Sequence, residues 1–531
     1  MFYTYLMHRI KELAIILIII GFLAYLPSFF GGFVWDDEDF VYANTYVKEF
    51  QINKFWSENA IAGRGKNSNY YRPIQFSMYA LIYKIAGPSP IAFHAVGIVL
   101  HIITAIMVII VITAITNSSF IGFLTALFFL IHPLQTESIS YMSGHSDPLY
   151  AVFFLLSIFF FLKRNERMFY KILSVVFFIL SLLSKELALI LLGIIILVFL
   201  FDIKHSHFER SEKSSDQRER NIKHASLDFS VTTFLRNDIL LISLYALIAL
   251  LYLISRFTFL KFSDIALFWK GNPYGEHFIT RLATFFQNFF TYLGLLIYPK
   301  NLFMERDFTV NIVTSLWNMW TFLFLVLNMM VLMVFLKSRN NISVRLFFLF
   351  WVAFLISLLP YTGVFLLNGI FYEHYMYLPQ VFFWGGVFSL THKLLKRLKV
   401  LILLMIVSVL LLLVRSYARQ WEWIDSERFY RQTLSYAPKS VRIMNGLGMS
   451  LAEKGNCEEA IQVYKQASIL SPRTPNVYHN IANCYLSMQK PDDAEKYYLK
   501  ALEVDPSFSF SCVSLKNMKR PKSSCIIPQK Y

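Results

Sequence analysis

An acidic run follows directly on the first apolar stretch of the chain. It extends from Asp36 to Asp39 and is flanked by Trp35 and Phe40. A run of charges is usually a solvated surface, but acids between aromatic residues at a membrane face are poor solubilisers. Mutual repulsion and partial burial raise the pKa of one such carboxyl, which can then serve as a general base. The sequence therefore predicts either a solvated acidic surface or a site for a base or a cation in this run, and an Asp-Asp pair such as Asp36 and Asp37 also suits a divalent cation.

Two further groups of ionisable residues stand where apolar runs end. Glu137 and Asp147 flank a short turn between two runs, and Glu373 and His374 lie at the boundary of a later run. Ionisable residues at such a depth are costly unless they face a polar cavity. We therefore expect Glu373 and His374 to line a cavity.

Two cations and two histidines complete the set of candidate residues. Arg72 follows two tyrosines; Arg is the usual fork for a phosphate, although a lone Arg more often forms a surface ion pair. Lys185 interrupts an apolar stretch, where a charge is tolerated if it faces a polar cavity. His94 and His101 lie seven residues apart and so share one face of a helix. Both could line a cavity, and hydrogen bonding within the core is the commoner alternative.

The composition predicts a membrane domain that positions these residues. Of the 531 residues, 56% are hydrophobic and only 16% are charged, whereas soluble domains carry about 25% charged residues. A formal net charge of +16 would suggest a nucleic-acid partner in a soluble protein. Here the basic residues cluster in short loops between apolar runs, which is the positive-inside pattern of membrane proteins. We therefore predict an all-α membrane helix bundle whose partner is lipid and not nucleic acid.

Apolar runs of membrane-spanning length predict about eleven spans within residues 1–415. The runs are 13–30, 90–115, 119–132, 146–162, 172–184, 187–203, 238–260, 313–336, 345–367, 376–391 and 400–415. Loop charges place the N-terminus and the long basic loop 204–237 in the cytoplasm. The run 281–298 must then be re-entrant or interfacial. The loop 31–89 becomes the first outside loop, and residues 416–531 lie outside as well.

A repeat of 34 residues marks the last part of the chain. The repeated positions are Leu447 and Ile481, Gly448 and Ala482, Ala460 and Ala494, Tyr464 and Tyr498, and Pro472 and Pro506. This period, with these residue types, is typical of tetratricopeptide (TPR) repeats, each of which is a pair of helices. We predict a short TPR α-solenoid over 416–506, made of a partial repeat at 416–440 and repeats at 441–474 and 475–508. A disordered basic tail is expected at 509–531.

The order of the motifs resembles that of one family. The chain shows in turn Trp-Asp-Asp, Tyr-Arg-Pro, His-Pro-Leu-Gln-Thr-Glu with a later Asp, Ser-Lys-Glu, Tyr-Pro-Lys-Asn-Leu and Glu-His-Tyr-Met-Tyr-Leu-Pro, followed by the repeats. This combination looks like the transmembrane-and-TPR O-mannosyltransferases and their bacterial relatives, which belong to the GT-C glycosyltransferase superfamily.

The resemblance implies a membrane glycosyltransferase. Such an enzyme moves a sugar, mannose or another hexose, from a polyprenyl- or dolichyl-phosphate donor to a protein Ser/Thr hydroxyl on the outer face. Asp36 or Asp37 of the first loop would be the catalytic base, and the sequence does not separate the two; Glu137 and Asp147 match the second acidic motif. Arg72 and Lys185 match basic positions that hold the donor phosphate. The acceptor protein would bind in the TPR groove.

One position departs from the family pattern. Relatives usually have Arg where this chain has His374, which would hold a phosphate more weakly and with a dependence on pH. The resemblance is compatible with the bacterial inner membrane, where the repeats would be periplasmic, and with the ER membrane, where they would be lumenal.

Two other functions stay open at this level. A membrane scaffold would use the repeats to recruit partners, but an anchor needs only one span and no polar motifs in several outside loops. A flippase or transporter of lipid-linked sugars would be expected to show internal repeats and acids at the bilayer midplane. Here the acids sit at one face of the predicted bundle.

Overall fold

In a computed structural model, the chain is built from helices and connecting turns. The structure describes residues 2–201, 220–260, 269, 271–304 and 306–520, and no β-strand occurs among them. The predicted all-α class is confirmed. The chain forms two compact units: a membrane unit (Met1–Gly31, Asp36–Leu302 and Asn311–Trp421) and a repeat unit (Gly32–Trp35, Phe303–Val310 and Glu422–Tyr531).

Long apolar helices make up most of the membrane unit. They are Phe2–Ala24, Pro90–Thr116, Ser119–Ile131, Ser146–Leu162, Met168–Ser184, Glu186–Phe201, Arg220–Phe257, Phe278–Ile297, Met319–Lys337, Ile342–Leu358, Pro379–Arg397 and Lys399–Glu422. Shorter helices in the predicted first outside loop are Glu38–Tyr42, Thr45–Lys48, Ile52–Ser57, Ala62–Arg64 and Pro73–Ala86.

Fewer helices than predicted are long and apolar enough to cross a membrane. Among the described residues there are six, or seven if the bent pair Ser119–Ile131 and Pro133–Ser140 forms one span. The predicted count of about eleven is therefore not confirmed. One reason is Lys185, which separates two apolar helices, each too short to span alone. The helix Phe278–Ile297 is unbroken and is not among the helices that are long and apolar enough to cross, so a re-entrant or interfacial position of 281–298 stays a prediction.

Several predicted boundaries need correction. The predicted span 400–415 continues as one helix to Glu422, so residues 416–421 belong to the membrane unit. The predicted loop 204–237 is helical from Arg220 onward, and its residues 204–219 lie outside the described part of the chain. The predicted disordered tail begins with a helix, Ser509–Asn517, which buries Leu515; residues 521–531 are outside the described part.

Some helices of the membrane unit bury almost no surface. No residue of Met319–Lys337 is buried, although its mean hydropathy is 2.4. The helix Lys399–Glu422 is likewise exposed except near its end. Apolar surface of this extent is stable only against lipid or another protein, as expected for a membrane protein.

A helical hairpin brings distant parts of the chain together. The antiparallel helices Ser146–Leu162 and Met168–Ser184 are joined by mutual hydrogen bonds. Ser157 Oγ donates to Ser174 O at 2.7 Å, and Ser174 Oγ donates to Ser157 O at 2.8 Å. Because the helices are antiparallel, the first residues of one helix lie beside the last residues of the other.

The repeat unit consists of paired helices with the predicted period. Its helices are Ser426–Tyr436, Val441–Glu453, Cys457–Leu470, Pro475–Ser487, Pro491–Val504 and Ser509–Asn517. A Cβ added at Gly448 would lie 2.4 Å from the Tyr464 ring, and one at Gly446 would lie 2.4 Å from the Tyr430 ring. Tyr430 and Tyr464 are 34 residues apart. In each case a glycine leaves room for a tyrosine ring at the equivalent position of successive repeats.

Candidate active site

Asp147 and Lys185 form a buried ion pair at the open end of the hairpin. Asp147 lies in the first turn of Ser146–Leu162, and Lys185 directly follows Met168–Ser184. Their side chains are 1% and 5% exposed, and Lys185 Nζ lies 2.6 Å from Asp147 Oδ1. Ser138 Oγ donates to the other carboxylate oxygen at 3.4 Å. The pair is thus held by the fold, and two of the predicted site residues meet here.

Arg72 joins this cluster from the first loop. Its guanidinium donates twice to Glu186, from Nε to Oε2 at 3.2 Å and from an Nη to Oε1 at 2.9 Å, and once to Ser146 Oγ at 3.3 Å. The Tyr70 ring lies 4.4 Å below it. Burial alone would lower the pKa of Arg72, but the Glu186 carboxylate outweighs that effect and raises it, so the guanidinium stays charged.

The two acids of the Trp-Asp-Asp motif have different surroundings. Asp37 is fully buried, and its Oδ1 accepts bonds from Ser143 N and Ser143 Oγ, both at 2.7 Å. Asp36 is half-buried and accepts a hydrogen bond from the Tyr141 hydroxyl. The sequence could not separate the two acids; in the structure, Asp37 anchors a loop and Asp36 is the more accessible.

The charges of Asp36, Arg72 and Glu186 all act on the Tyr70 phenol. Burial raises the pKa of the Tyr70 phenol; the Arg72 charge opposes the rise, and the charges of Asp36 and Glu186 add to it. The Tyr70 phenol therefore stays protonated and uncharged at neutral pH. We call Asp36, Tyr70, Arg72, Asp147, Lys185 and Glu186 the ionic cluster.

Glu137 sits in a separate cradle of donors. One carboxylate oxygen accepts from Glu373 N at 2.9 Å and His374 N at 3.2 Å, and the other lies 2.6 Å from His374 Nδ1. Arg419 in turn pairs with the buried Glu373 carboxylate at 3.3 Å. The His374 side chain is thus directed to Glu137, although the sequence predicted it as a phosphate ligand. The helix Thr136–Ser140 links this cradle to the ionic cluster, because its Ser138 bonds to Asp147.

The two predicted cavity histidines are fully buried. His101 lies 2.8 Å from the Tyr377 hydroxyl through Nδ1 and 3.1 Å from Leu130 O through Nε2. Its ring packs on Tyr25 and Phe129. Hydrogen bonding within the core, the alternative weighed from the sequence, describes His101. His94 lies beside Gly31, where an added Cβ would come within 2.9 Å of Nε2.

Sequence reasoning missed several residues of the site. Glu186, Tyr141 and Ser143 were not predicted, and only Glu186 carried a signal, since it is a second charge next to Lys185 in an apolar stretch. Arg419 was assigned to the repeats because the last span was ended at residue 415. Arg256 also acts on Glu186 through its charge, and its position at a helix end gave no sign of this.

The ionic cluster contains a carboxylate that could accept a proton and a guanidinium that could bind an anionic group of a substrate. Asp36 is an accessible carboxylate, and the bonds described for Arg72 use three of the five N–H groups of a guanidinium. Among the described residues, no three His, Cys, Asp or Glu side chains are grouped so as to hold a metal ion. A divalent cation at Asp36 and Asp37 therefore stays a prediction that needs further ligands from a substrate.

Comparisons with known proteins agree with the resemblance and with the repeats. Family models described as "Tetratricopeptide repeat" and "TPR repeat" match residues 475–508 and 448–489. The chain is 26% identical over 470 residues to "Protein O-mannosyl-transferase F38B6.6" of Caenorhabditis elegans, covering 86% of this chain and 62% of that protein. It is 23% identical over 526 residues to human "Protein O-mannosyl-transferase TMTC3" (94% and 55%) and 24% over 505 residues to human "Protein O-mannosyl-transferase TMTC4" (84% and 64%).

These matches confirm that the resemblance is to the transmembrane-and-TPR O-mannosyl-transferases and extends through the membrane unit. The chain spans between about half and two thirds of the length of these curated relatives.

Proposed function

We propose that this chain is a GT-C type membrane glycosyltransferase. It moves a mannosyl or related hexosyl group from a polyprenyl- or dolichyl-phosphate donor to a Ser or Thr hydroxyl of a protein. The observation that carries the proposal is the half-buried Asp36, whose charge acts on the Tyr70 phenol together with the charge of the buried Arg72. The relatives, named protein O-mannosyl-transferases, supply the class of reaction.

The proposed step is a single displacement at the anomeric carbon. The acceptor oxygen forms the new C–O bond, the bond from carbon to phosphate oxygen breaks, and the lipid phosphate leaves with the electron pair. The hydroxyl proton passes to the Asp36 carboxylate, which acts as general base. The Tyr141 hydroxyl donates a hydrogen bond to that carboxylate and so restrains its orientation. A glycosyl phosphate has a good leaving group, so no strong acid is required.

Arg72 and Lys185 are the groups proposed to stabilise the departing phosphate. Each is already charge-paired, with Glu186 and Asp147, so its position does not depend on the substrate. Each also keeps N–H groups beyond those used in the described bonds. Preorganised donors of this kind stabilise developing charge without reorganisation at the moment of reaction. His374, bonded to Glu137, is given a positioning role here and not a phosphate contact.

The orientation and the acceptor follow from the same proposal. The polar loops that carry Asp36, Arg72 and Glu137 would face the ER lumen or the periplasm, with the N-terminus in the cytoplasm. The repeats would then lie on the same side as these loops and bind an extended acceptor segment.

The direct test is sugar transfer by the purified full chain in nanodiscs. Radiolabelled polyprenyl-phosphate mannose and a Ser/Thr-rich peptide are supplied, and wild type is compared with Asp36→Asn. The matched control is Asp39→Asn, which removes a carboxylate of the same acidic run that is paired with Lys66 at the surface. We expect Asp36→Asn to lower kcat about 10²- to 10⁴-fold and Asp39→Asn to leave it unchanged.

The alternatives are separated by the same preparation. Wild-type activity that survives in Asp36→Asn would contradict the assignment of the base. No transfer from several lipid-linked hexoses by folded wild type would favour a scaffold. Movement of the lipid-linked sugar across proteoliposomes without transfer to peptide would favour a flippase.

A further inference from the structure

One face of the helix Arg220–Phe257 packs along the hairpin of the membrane unit. That face carries four polar residues spaced by seven, seven and four positions: Asp238, Tyr245, Tyr252 and Arg256. Such spacings return a helix to nearly the same side. The four residues therefore meet the hairpin in order along its length.

The first two residues fix the helix against the hairpin. The Asp238 carboxylate accepts two bonds from Arg164, both at 3.0 Å, and both side chains are buried. Arg164 lies in the turn that closes the hairpin. The Tyr245 hydroxyl lies 2.8 Å from Ser157 Oγ and 2.5 Å from Ser174 Oγ, midway along the hairpin. These contacts set the register of the helix along the hairpin.

Tyr252 then reaches the ionic cluster at the open end of the hairpin. It lies about 10 Å further along the helix than Tyr245. The charges of Glu186, Arg256 and Arg72 all act on its phenol. Tyr252 is 9% exposed, and its hydroxyl is buried with no hydrogen-bond partner among the described residues. Buried hydroxyls are nearly always hydrogen-bonded, so an unpaired one beside charged groups calls for an explanation.

Arg256 adds positive charge beside this hydroxyl. Its guanidinium donates to two backbone carbonyl oxygens, which uses two of the five N–H groups of a guanidinium. Its charge acts on Glu186, with which Arg72 is already paired. One carboxylate does not neutralise two guanidinium groups. The surroundings of the Tyr252 hydroxyl therefore favour an anionic acceptor.

An adjoining face of the same helix is suited to lipid. Leu247, Leu251 and Ile254 are each about half exposed. The part Arg236–Phe257 is long and apolar enough to cross a membrane. A phosphate that reaches Tyr252 beside this helix can therefore carry an apolar tail that stays in the bilayer.

We propose that the Tyr252 hydroxyl donates a hydrogen bond to the phosphate of the lipid-linked sugar donor. Arg72 and Arg256 flank that phosphate, and a hydrogen bond to an anionic oxygen is stronger than one between neutral groups. Tyr252 is thus a phosphate-binding residue, and the helix Arg220–Phe257 forms one wall of the donor site. This inference rests on the proposed function, which supplies the lipid-linked donor.

The first test is Tyr252→Phe in the full chain, which removes the hydroxyl and keeps the ring. Loss of a hydrogen bond to a charged group should lower kcat/KM for the lipid-linked donor about 10- to 100-fold. KM for the acceptor peptide should stay within about twofold. The midpoint of thermal unfolding should not fall, because the hydroxyl has no bond to lose among the described residues.

Tyr245→Phe is the matched control on the same face of the helix. It removes a hydroxyl that is bonded to Ser157 and Ser174, so it should lower the unfolding midpoint and leave kcat/KM for the donor unchanged. The two variants should therefore show opposite patterns. Unchanged kcat/KM in Tyr252→Phe would overturn the assignment. An equal loss of stability in both variants would also overturn it, because that result makes Tyr252 a structural residue.

The second test measures binding without turnover. Polyprenyl phosphate is titrated into the full chain in detergent, and bound lipid is followed by native mass spectrometry. Tyr252→Phe should weaken this binding about tenfold or more, whereas Tyr245→Phe should not. Binding of uncharged polyprenol should be the same in all three proteins. A loss of polyprenol binding equal to that of polyprenyl phosphate would overturn the phosphate contact.

Phosphatidylglycerol forms a further arm of this test, because its head group presents the same phosphate chemistry. Its binding should not depend on the Tyr252 hydroxyl. Equal weakening of phosphatidylglycerol and polyprenyl phosphate in Tyr252→Phe would overturn the assignment to the donor and give the site to phospholipid.

Failure of this inference can be distinguished from failure of the proposed function. If wild type transfers no sugar while binding of polyprenyl phosphate depends on Tyr252, the proposed function fails and the phosphate site stands. If wild type transfers sugar and Tyr252→Phe changes neither kcat/KM nor binding, the phosphate site fails and the proposed function stands.

Discussion

Ion pairs in the two units of the molecule differ in burial. In the membrane unit, the side chains of Lys185 and Asp147 are 5% and 1% exposed. In the repeat unit, those of Lys454 and Glu427 are 51% and 26% exposed. The distances are nearly equal, 2.6 Å and 2.8 Å, so geometry does not distinguish these pairs.

The difference in burial implies different reasons for the two kinds of pair. A buried pair costs more to desolvate than its attraction usually returns, so apolar residues would often serve stability as well or better. The presence of a buried ion pair therefore calls for a reason other than stability, and holding a cation in place to bind phosphate is one such reason. A surface pair is formed at little cost and contributes little.

The largest effect is expected from breaking the buried pair. Lys185→Met removes the cation and leaves the Asp147 carboxylate buried without its partner, which typically costs about 3–5 kcal/mol. Thermal unfolding of the full chain in detergent should show a large loss of stability. The double variant Lys185→Met/Asp147→Leu should recover most of it while staying inactive. A double variant as unstable as the single one would mean that packing, and not the charge, is responsible.

A smaller effect is expected within the acidic run. Asp37→Asn keeps the oxygen that accepts both bonds from Ser143 but removes its charge, so each bond falls from about 1.5–3 kcal/mol to about 1 kcal/mol. Asp39→Asn, which loses a surface pair with Lys66, should change stability by less than about 1 kcal/mol. Unfolding curves of the two variants give the comparison directly. Similar curves would place Asp37 with the surface residues.

Local repetition explains why the repeat unit was predictable. Tyrosine rings pack on small residues here, Tyr464 on Gly448 and Tyr430 on Gly446, and the same residue types recur at a 34-residue period that is visible in the sequence. The error there was local: the final helix Ser509–Asn517 stands one period after Pro475–Ser487. It was predicted as part of a tail because basic residues cluster at and after its end, at Lys516, Lys519, Arg520 and Lys522.

Long-range packing explains why the site was only partly predictable. Lys185 and Asp147 were recognised as charges out of place, but their pairing depends on the hairpin between them. Asp36 and Asp37 are equivalent in sequence, and they differ only because Ser143, 106 residues away, reaches Asp37. Such a difference arises from tertiary contacts and leaves no pattern near the residues themselves.

His479 should make the repeat unit sensitive to acid. Burial lowers its pKa from the ordinary value of 6.5 to about 4, and its ring contacts those of Tyr498 and Phe508. The unfolded state then binds a proton more readily than the folded one, so stability is complete above about pH 6.5 and is lost as the pH falls toward 4. At pH 5 the loss is at most about 2 kcal/mol, and nearer 1 because the ring is partly solvated.

Hydrogen exchange of the full chain measures this loss. Amides of Pro475–Ser487 should lose protection between pH 7 and pH 5 after correction for the intrinsic exchange rates. His479→Gln, which cannot be protonated in this range, should abolish the dependence. A dependence that persists in His479→Gln would assign it to another group.

The smallest effect is expected at the surface pairs of the repeat unit. Lys454 contacts both Asp425 and Glu427, at 3.2 Å and 2.8 Å, and the latter bond lowers the pKa of Glu427. Lys454→Ala removes one partner from each carboxylate, but Glu427 keeps its ion pair with Arg431 and water solvates both acids because the site is open. The expected change in the free energy of unfolding is therefore below about 1 kcal/mol and decreases with added salt. A loss as large as that of Lys185→Met would mean that burial does not separate the two kinds of pair.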